Sequence, residues 1–304
     1  MPSRFAVLLF LLSLSSTPAF SQRNLYKEAS ESYKLKQYDK ALSLTEEALQ
    51  SEGDNPAYLH LYGVILATLG RPGPAEENFR KAVALAPDQP FFAYELGALL
   101  HNQRKYAEAV PVLARAVELA PENLSARMML ARSYVFSFNV LKLPNFVELT
   151  LEQLNYIVKK NPQFPAVHHH LALVYVNTGD FTKAAEELNT ELRLFPENAQ
   201  ARLELGETLL KLNENQKAAG ELQIAAKQAP KVPAIQYALG KAYKANGSTP
   251  KALEAVQRCV ELDPQFANCH YLLGQLYRES DQPEKAKEQF ELFKQLKPAG
   301  APND

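Results

Sequence analysis

The chain has 304 residues, of which 46% are hydrophobic and 22% are charged, an ordinary balance for a folded protein. Its 33 basic and 34 acidic residues nearly cancel, so the charge gives no reason to expect a nucleic-acid partner. Length alone would suggest about two globular domains.

Residues 1–21, MPSRFAVLLFLLSLSSTPAFS, have the order of a secretory signal peptide. Arg4 precedes an apolar run that ends at Leu14, and we expect cleavage before Gln22. The run is shorter than the roughly 20 apolar residues that span a bilayer, so an uncleaved anchor is the less favoured alternative. We therefore predict an exported chain with no membrane span after signal cleavage, periplasmic if the source is bacterial and otherwise secreted.

After this segment the chain repeats one pattern every 34 residues. Alanine marks the pattern at positions 41, 75, 109, 184, 218, 252 and 286. The gap from 109 to 184 is 75 residues, two periods plus seven, so one repeat carries a seven-residue insertion. Self-similarity at such a period indicates copies that bury their apolar faces against one another.

Each repeat has the pattern of two amphipathic helices joined by a short turn. In residues 232–264, apolar residues recur at helical spacing on both sides of the turn-forming Asn246-Gly247, and Pro264 ends the second helix. A small residue recurs in the first helix of every repeat, at Ala29, Gly63, Gly97, Ala131, Ala172, Gly206, Gly240 and Gly274. Glycine inside a helix costs about 1 kcal/mol relative to alanine, so its recurrence predicts that two helix backbones approach closely there.

This pattern resembles the tetratricopeptide repeat, in which a large residue, Leu-Gly, Tyr, Ala, an aromatic residue and Pro follow one another over 34 residues. The last repeat carries it in Leu273-Gly274, Tyr277, Ala286, Phe290 and Pro298, and the second in Leu59, Tyr62-Gly63, Ala75, Phe79 and Pro87. The chain departs from the family in having no Trp. The resemblance implies an all-α fold, a right-handed α-solenoid of about eight helix-turn-helix repeats.

The predicted repeats are 22–55, 56–89, 90–123, 124–164, 165–198, 199–232, 233–266 and 267–298, followed by a disordered tail, 299–304. The insertion falls between the two helices of the fourth repeat, where the rim is apolar through Phe136, Phe138, Val140, Leu141 and Leu143. Either neighbours cover this rim, or it is an exposed patch for a partner. At the C-terminal end the same two alternatives apply to Phe293: either its side chain is simply exposed, or the chain self-associates through this end.

In the tetratricopeptide family the first helix of each repeat lines a concave face, so the resemblance implies a peptide-binding surface there. The fifth positions of the first helices supply His60, Tyr94, Met128, His169, Tyr237 and Tyr271, and nearby polar positions supply His101, Asn102, Arg132, Asn177, Lys241, Lys244, Gln275 and Arg278. Tyrosine gives contact area with a polar handle, which suits peptide binding. We expect the cations of the last two repeats to take an acidic end of the ligand. The alternative for each tyrosine is burial between adjacent first helices.

The three consecutive histidines His168, His169 and His170 do not predict a metal site. Successive helical side chains diverge by about 100°, and no Asp, Glu or Cys nearby completes a tetrahedral ligand set. The sequence also has no Gly-x-Ser-x-Gly, no phosphate loop and no plausible Cys-His pair. We therefore predict no metal, no cofactor and no enzymatic activity.

The two cysteines, Cys259 and Cys269, lie on either side of the turn at Pro264, in helices that we expect to be antiparallel neighbours. A disulfide is geometrically feasible there and would persist in an exported protein. The alternative is two small buried residues without a bridge.

These observations favour a non-catalytic protein-interaction scaffold that binds a peptide or protein segment on its concave face, in a cell-envelope complex. One alternative is a structural repeat protein that self-assembles through the fourth-repeat rim or the C-terminal end, giving a weak homo-oligomer. Another is an auxiliary subunit of an envelope enzyme complex. The sequence identifies no partner, because a fold alone does not fix one.

Overall fold

The computed structural model describes residues 24–141 and 145–296. The predicted signal peptide, Pro298 and the predicted tail lie outside these residues. So does Leu143 of the predicted rim, and so do the side chains of Phe138, Val140 and Leu141.

Within the described residues the chain consists of sixteen α-helices and contains no strand. The first helices of the repeats are α1 (Leu25–Lys34), α3 (Pro56–Thr68), α5 (Pro90–Asn102), α7 (Leu124–Leu141), α9 (Val167–Thr178), α11 (Ala199–Lys211), α13 (Pro233–Ala245) and α15 (Ala267–Glu279). The second helices are α2 (Tyr38–Glu52), α4 (Pro72–Leu85), α6 (Tyr106–Leu119), α8 (Phe146–Lys160), α10 (Phe181–Leu194), α12 (Asn215–Gln228), α14 (Thr249–Leu262) and α16 (Pro283–Leu296). None of these described helices is both long enough and apolar enough to cross a membrane.

The helices group into two units, Met1–Leu99 and Leu100–Asp304, which divide inside α5. In the N-terminal unit α1 contacts α2 and α3, and α3 contacts α4. In the C-terminal unit each helix from α6 to α16 contacts the next one along the chain.

Within the C-terminal unit the first helices also touch one another, because α7 contacts α9, and α13 contacts both α11 and α15. The described second helices make no comparably extensive contact among themselves. The first helices therefore form the more closely packed side of this unit. We call this side the first-helix face.

The recurrent small residue lies where the two helices of a repeat approach most closely. A Cβ atom added to Gly63 would lie 2.6 Å from the Phe79 ring, and one added to Gly274 would lie 2.7 Å from the Phe290 ring. An added Cβ at Gly206 would overlap the buried side chain of Leu222. This confirms the close approach that the glycines predict. The marker alanines Ala41, Ala75, Ala109, Ala184, Ala218, Ala252 and Ala286 are all buried.

The insertion lengthens the first helix of the fourth repeat. Helix α7 has 18 residues, whereas α5 and α11 have 13 each. The first helix of the fourth repeat thus continues beyond the point where α5 and α11 end.

A disulfide joins Cys259 of α14 to Cys269 of α15, with the Cα atoms 6.2 Å apart. Both residues are also fully buried, among Val256, Leu272 and Leu276. The bridge and the burial, which the sequence left as alternatives, therefore occur together.

Helix α5 buries the carboxyl group of Glu95. The residue is 4% exposed, and Oε2 has no hydrogen-bond partner in the part of the chain that the structure describes. Burial raises the pKa of the Glu95 carboxyl to about 7, since desolvation penalises the charged form.

We expect Gly206→Ala to destabilise the chain and Gly220→Ala, on the helix that carries Leu222, to stabilise it. The first substitution forces Leu222 to move, and overpacking of this kind costs about 1–3 kcal/mol. Gly220 has no atom within 4 Å of an added Cβ, so the second substitution adds up to about 1 kcal/mol of helix propensity. Urea unfolding followed by circular dichroism measures both. Equal effects of the two substitutions would contradict the close approach at Gly206.

We expect Glu95→Gln to remove a pH dependence from the free energy of unfolding. The folded-state pKa is raised from 4.5 to about 7, so the native protein holds this proton more tightly than the unfolded chain. The group therefore costs no stability below about pH 4.5, and its cost grows as the pH rises towards 7. Above pH 7 the difference between the folded and unfolded pKa of Glu95 lowers the free energy of unfolding by about 3 kcal/mol. Urea unfolding from pH 5 to 8 tests this, with exposed Glu31→Gln as the control. A variant that follows the wild-type profile would contradict it.

Candidate functional site

The predicted binding residues of the N-terminal unit do not form an open surface. His60 is 5% exposed, and its ring lies 4.7 Å from the ring of Phe91 and 5.4 Å from those of Phe79 and Phe92. Burial lowers the pKa of His60 to about 3, so the imidazole is neutral. The prediction that His60 contacts a ligand is therefore corrected: this histidine is part of the core. Tyr94 is half-buried.

Two predicted residues of the C-terminal unit are buried as well. Met128 belongs to the apolar core that α7 shares with α8 and α9, so it is not available to a partner. His101 is buried beside α6 and α7. The remaining predicted residues reach the surface: Asn102, Asn177, Tyr271 and Arg278 are exposed, and Arg132, His169, Tyr237, Lys241, Lys244 and Gln275 are half-buried.

The cations of the last two repeats are engaged by their own neighbours. The Lys244 ammonium lies 3.1 Å from a carboxylate oxygen of Glu279 and donates a 2.7 Å hydrogen bond to Gln275 Oε1. Lys241 lies over the Tyr237 ring, 5.4 Å from its centroid. Lys244 already has a carboxylate partner in Glu279, so the structure does not favour the expectation that Lys244 binds an acidic group of a ligand.

The three histidines at the start of α9 make different contacts. His168 lies 2.6 Å from Glu187 Oε2 through Nδ1 and 2.9 Å from the Pro162 carbonyl through Nε2. His169 Nε2 lies 2.8 Å from Glu204 Oε2, and this hydrogen bond raises the pKa of His169. Among the residues that the structure describes, no group of three His, Cys, Asp or Glu side chains converges in a way that would hold a metal ion.

Three residues of other repeats have the same role as the side chain of His168. Arg127, Arg202 and His270 occupy the same phase in other repeats, and each donates to the carbonyl of the proline six residues earlier. Each also pairs with a side chain of the second helix of its own repeat. This position, which the repeat pattern leaves variable, therefore links each of these four repeats to the preceding turn.

A cluster of polar and aromatic side chains surrounds Arg132 in the C-terminal unit. It consists of His101, Tyr106, Arg132, Phe136 and His170, from α5, α6, α7 and α9, and we call it the Arg132 cluster. The His101 ring lies 5.3 Å from the Tyr106 ring and 5.7 Å from the Phe136 ring. Phe136 stacks on Tyr106 at 5.6 Å and is 49% exposed. The apolar rim predicted for the fourth repeat is therefore exposed at Phe136.

The protonation of His101 follows from its hydrogen bond to Ser133. The Ser133 hydroxyl donates its hydrogen to the Met129 carbonyl at 2.9 Å, so it accepts from His101 Nδ1 at 2.9 Å. Nδ1 thus carries the hydrogen, and Nε2 of the neutral ring is an acceptor. Burial, and then the charge of Arg132, lower the pKa of His101 to about 4.

His170 is the second neutral imidazole beside Arg132. Its ring stacks on His169 at 5.5 Å, and its Nδ1 atom is buried without a hydrogen-bond partner in the described residues. Burial, followed by the nearby His169, Arg132 and His101, lowers the pKa of His170 to about 3. Both imidazoles are therefore uncharged at neutral pH.

The sequence shares a repeat family with proteins from several organisms. A family model described as tetratricopeptide repeat matches residues 26–90, 94–135 and 170–233, and two further models with this description match 233–276 and 267–299. Over 140 residues, 46% of the chain, it is 26% identical to the anaphase-promoting complex subunit CDC16 of Saccharomyces cerevisiae. Over 71 residues, 23% of the chain, it is 38% identical to the peptidyl-prolyl cis-trans isomerase FKBP42 of Arabidopsis thaliana. The matches span 16% and 20% of these relatives, so the chain covers only a small part of each.

Solved structures of repeat proteins have the same fold. A tetratricopeptide repeat protein from Parabacteroides merdae superposes with a TM-score of 0.62 at 15% identity, over 81% of this chain and 94% of that one. The APC/C hetero-tetramer Cut9-Hcn1 gives 0.58 at 18% identity, over 90% of this chain and 53% of that one. These likenesses confirm the predicted fold class, an all-α solenoid of helix-turn-helix repeats. With its family models matching most of its length, the chain belongs to the tetratricopeptide-repeat family.

Proposed function

We propose that this chain is a non-catalytic scaffold that binds an extended segment of a partner protein on its first-helix face. The family and its relatives support a protein-interaction role, since CDC16 and Cut9 are named as parts of a multi-subunit complex. We further propose that the complex belongs to the cell envelope, which the signal-like residues 1–21 favour.

The observation that carries the proposal is the exposure of mixed aromatic and polar groups on the first-helix face of the C-terminal unit. Tyr271 is 39% exposed, and Asn177 and Arg278 are exposed on α9 and α15. Aromatic side chains with a polar atom give contact area together with hydrogen bonding, and asparagine both donates to and accepts from a peptide backbone. Such a surface suits a segment that arrives without its own secondary structure.

A second surface lies on the other side of the same unit. An open groove of about 570 Å³ runs between α10 and α12, over Leu205 and Leu209 of α11. Its rim carries both signs of charge, with Glu186 and Glu221 near Lys217.

We expect charge reversal on the first-helix face to abolish partner binding. The face variant combines Asn177→Ala, Lys241→Glu and Arg278→Glu, and the control combines Lys227→Glu and Lys287→Glu on the second helices. Crosslinked affinity capture from the native exported compartment, quantified by mass spectrometry, should show at least a roughly tenfold loss for the face variant, about 1.4 kcal/mol, and none for the control. Circular dichroism checks that both variants fold.

Two other results would contradict this function. Equal loss in both variants would mean that net charge, not the first-helix face, governs capture. Retained capture by the face variant, with mass that depends on concentration and falls in Phe136→Ser, would favour self-assembly through the fourth-repeat rim.

A further inference from the structure

We infer that the Arg132 cluster is a binding site for the carboxylate of an acidic side chain on the bound segment, and that binding there takes up protons on His101 and His170. This inference rests on the proposed function, since it assigns one contact of the same first-helix face. It differs from the sequence-based expectation, which assigned acidic groups of the ligand to the last two repeats.

The first argument is the absence of a counter-charge for Arg132. Its Nε atom is buried, and the guanidinium has neither a hydrogen bond nor an ion pair within residues 24–141 and 145–296. By contrast, Arg202 and Lys244 on α11 and α13 both lie close to a carboxylate. A cation that has lost water without gaining a partner is unfavourable, and a ligand carboxylate would supply that partner in the geometry that guanidinium prefers.

The second argument is the placement of the two imidazoles. Arg132 lies close enough to both His101 and His170 for its charge to oppose their protonation. A carboxylate beside Arg132 would offset the positive charge of the guanidinium and so favour protonation of both imidazoles. Once protonated, the buried His101 ring and the His170 ring carry positive charge next to Arg132, and this charge stabilises the bound carboxylate without a direct contact.

The other charged groups around the cluster do not already fill the site. On α9, His169 is bound to Glu204 of α11 at 2.8 Å. On α10, Glu191 is 2% exposed and acts electrostatically on His169. Its Oε1 accepts a hydrogen bond from Asn198, and its buried Oε2 has no hydrogen-bond partner within the described residues. On α6, Tyr106 is stacked against Phe136. None of these groups neutralises Arg132 in the described structure.

The shape of the cluster favours an acidic side chain with an apolar neighbour. The Arg132 Nε is buried in a half-buried side chain, so a carboxylate carried by a side chain, as in Glu and Asp, is well suited to reach the guanidinium. Phe136 lies one helical turn after Arg132 on the same side of α7 and exposes an aromatic surface beside the entrance. An apolar residue next to the acidic one would cover Phe136.

The test uses the full mature chain and NMR titration of its histidine rings. The main probe is the capped peptide acetyl-Glu-Phe-amide, and acetyl-Gln-Phe-amide is its neutral match. Two further probes, acetyl-Phe with a free carboxylate and inorganic phosphate, represent a chain terminus and a free oxyanion. We expect saturable binding of the Glu peptide, a rise in the pKa of His101 and His170, and binding at least about tenfold weaker for the Gln peptide, as for loss of a charged hydrogen bond.

The pH dependence has a definite sign. Both imidazoles are neutral without ligand, with pKa values of about 4 and 3, and a bound anion raises them. Binding therefore takes up protons, and affinity for the Glu peptide should rise as the pH falls from 7.5 to 5.5. His170→Gln should reduce this slope.

Variants of Arg132 separate recognition from folding. Arg132→Met should lose at least about tenfold in affinity, and Arg132→Lys should recover part of it, whereas the exposed Arg193→Met on α10 should bind as wild type. Unchanged binding by Arg132→Met, tighter binding of acetyl-Phe or phosphate than of the Glu peptide, or absence of saturable Glu-peptide binding would each overturn the inference. If capture of the native partner depends on the first-helix face but is unchanged in Arg132→Met, the result supports the proposed function and contradicts the carboxylate site at Arg132.

Discussion

The approach of two helix backbones at one small residue is the constraint on which each repeat depends. At Gly63 and Gly274 there is no room for a Cβ atom because an aromatic ring of the second helix occupies that space. This fixes how the helices of a repeat cross, and thereby which side of each first helix remains for the neighbouring repeat. The cost of glycine in a helix is offset by burial of a large side chain such as Phe79, which is 1% exposed.

Periodicity predicts this framework well because it reports geometry that every repeat shares. The marker alanines and the glycines recur at one phase, and the helices of the described chain follow from them. The direction in which a side chain points from the helix axis is also periodic, but the extent to which that side chain is buried is not. His60 and Tyr271 share a phase, yet Phe91 and Phe92 enclose His60 whereas Tyr271 is 39% exposed. The side chains of the neighbouring repeat determine how far such a residue is buried, so the sequence of one repeat does not predict its exposure.

The hydrogen bonds that link a repeat to the proline of the preceding turn could not be predicted from the sequence for a different reason. The four residues that form them are two arginines, Arg127 and Arg202, and two histidines, His168 and His270. Other repeats have apolar residues such as Leu59 at this phase, so the position looks unconstrained in the sequence. The four residues share an N–H donor that reaches the carbonyl of a proline six residues earlier. Residue type therefore does not mark this position in the sequence, whereas a side-chain N–H donor at this phase does in these four repeats. His168 is thereby explained as a structural side chain and not as part of a histidine cluster.

The irregular repeat carries the most unusual chemistry of the C-terminal unit. In α5 and α11 the first helix ends at its thirteenth residue, but in α7 the helix continues to Leu141. Phe136, the thirteenth residue of α7, is therefore held inside a helix and stays one turn from Arg132, with its ring stacked on Tyr106. The insertion that breaks the 34-residue period thus leaves an exposed aromatic group beside an unpaired, half-buried cation. An unpaired charge that is partly withdrawn from water costs free energy, and the carboxylate proposed for the bound segment would offset that cost at Arg132.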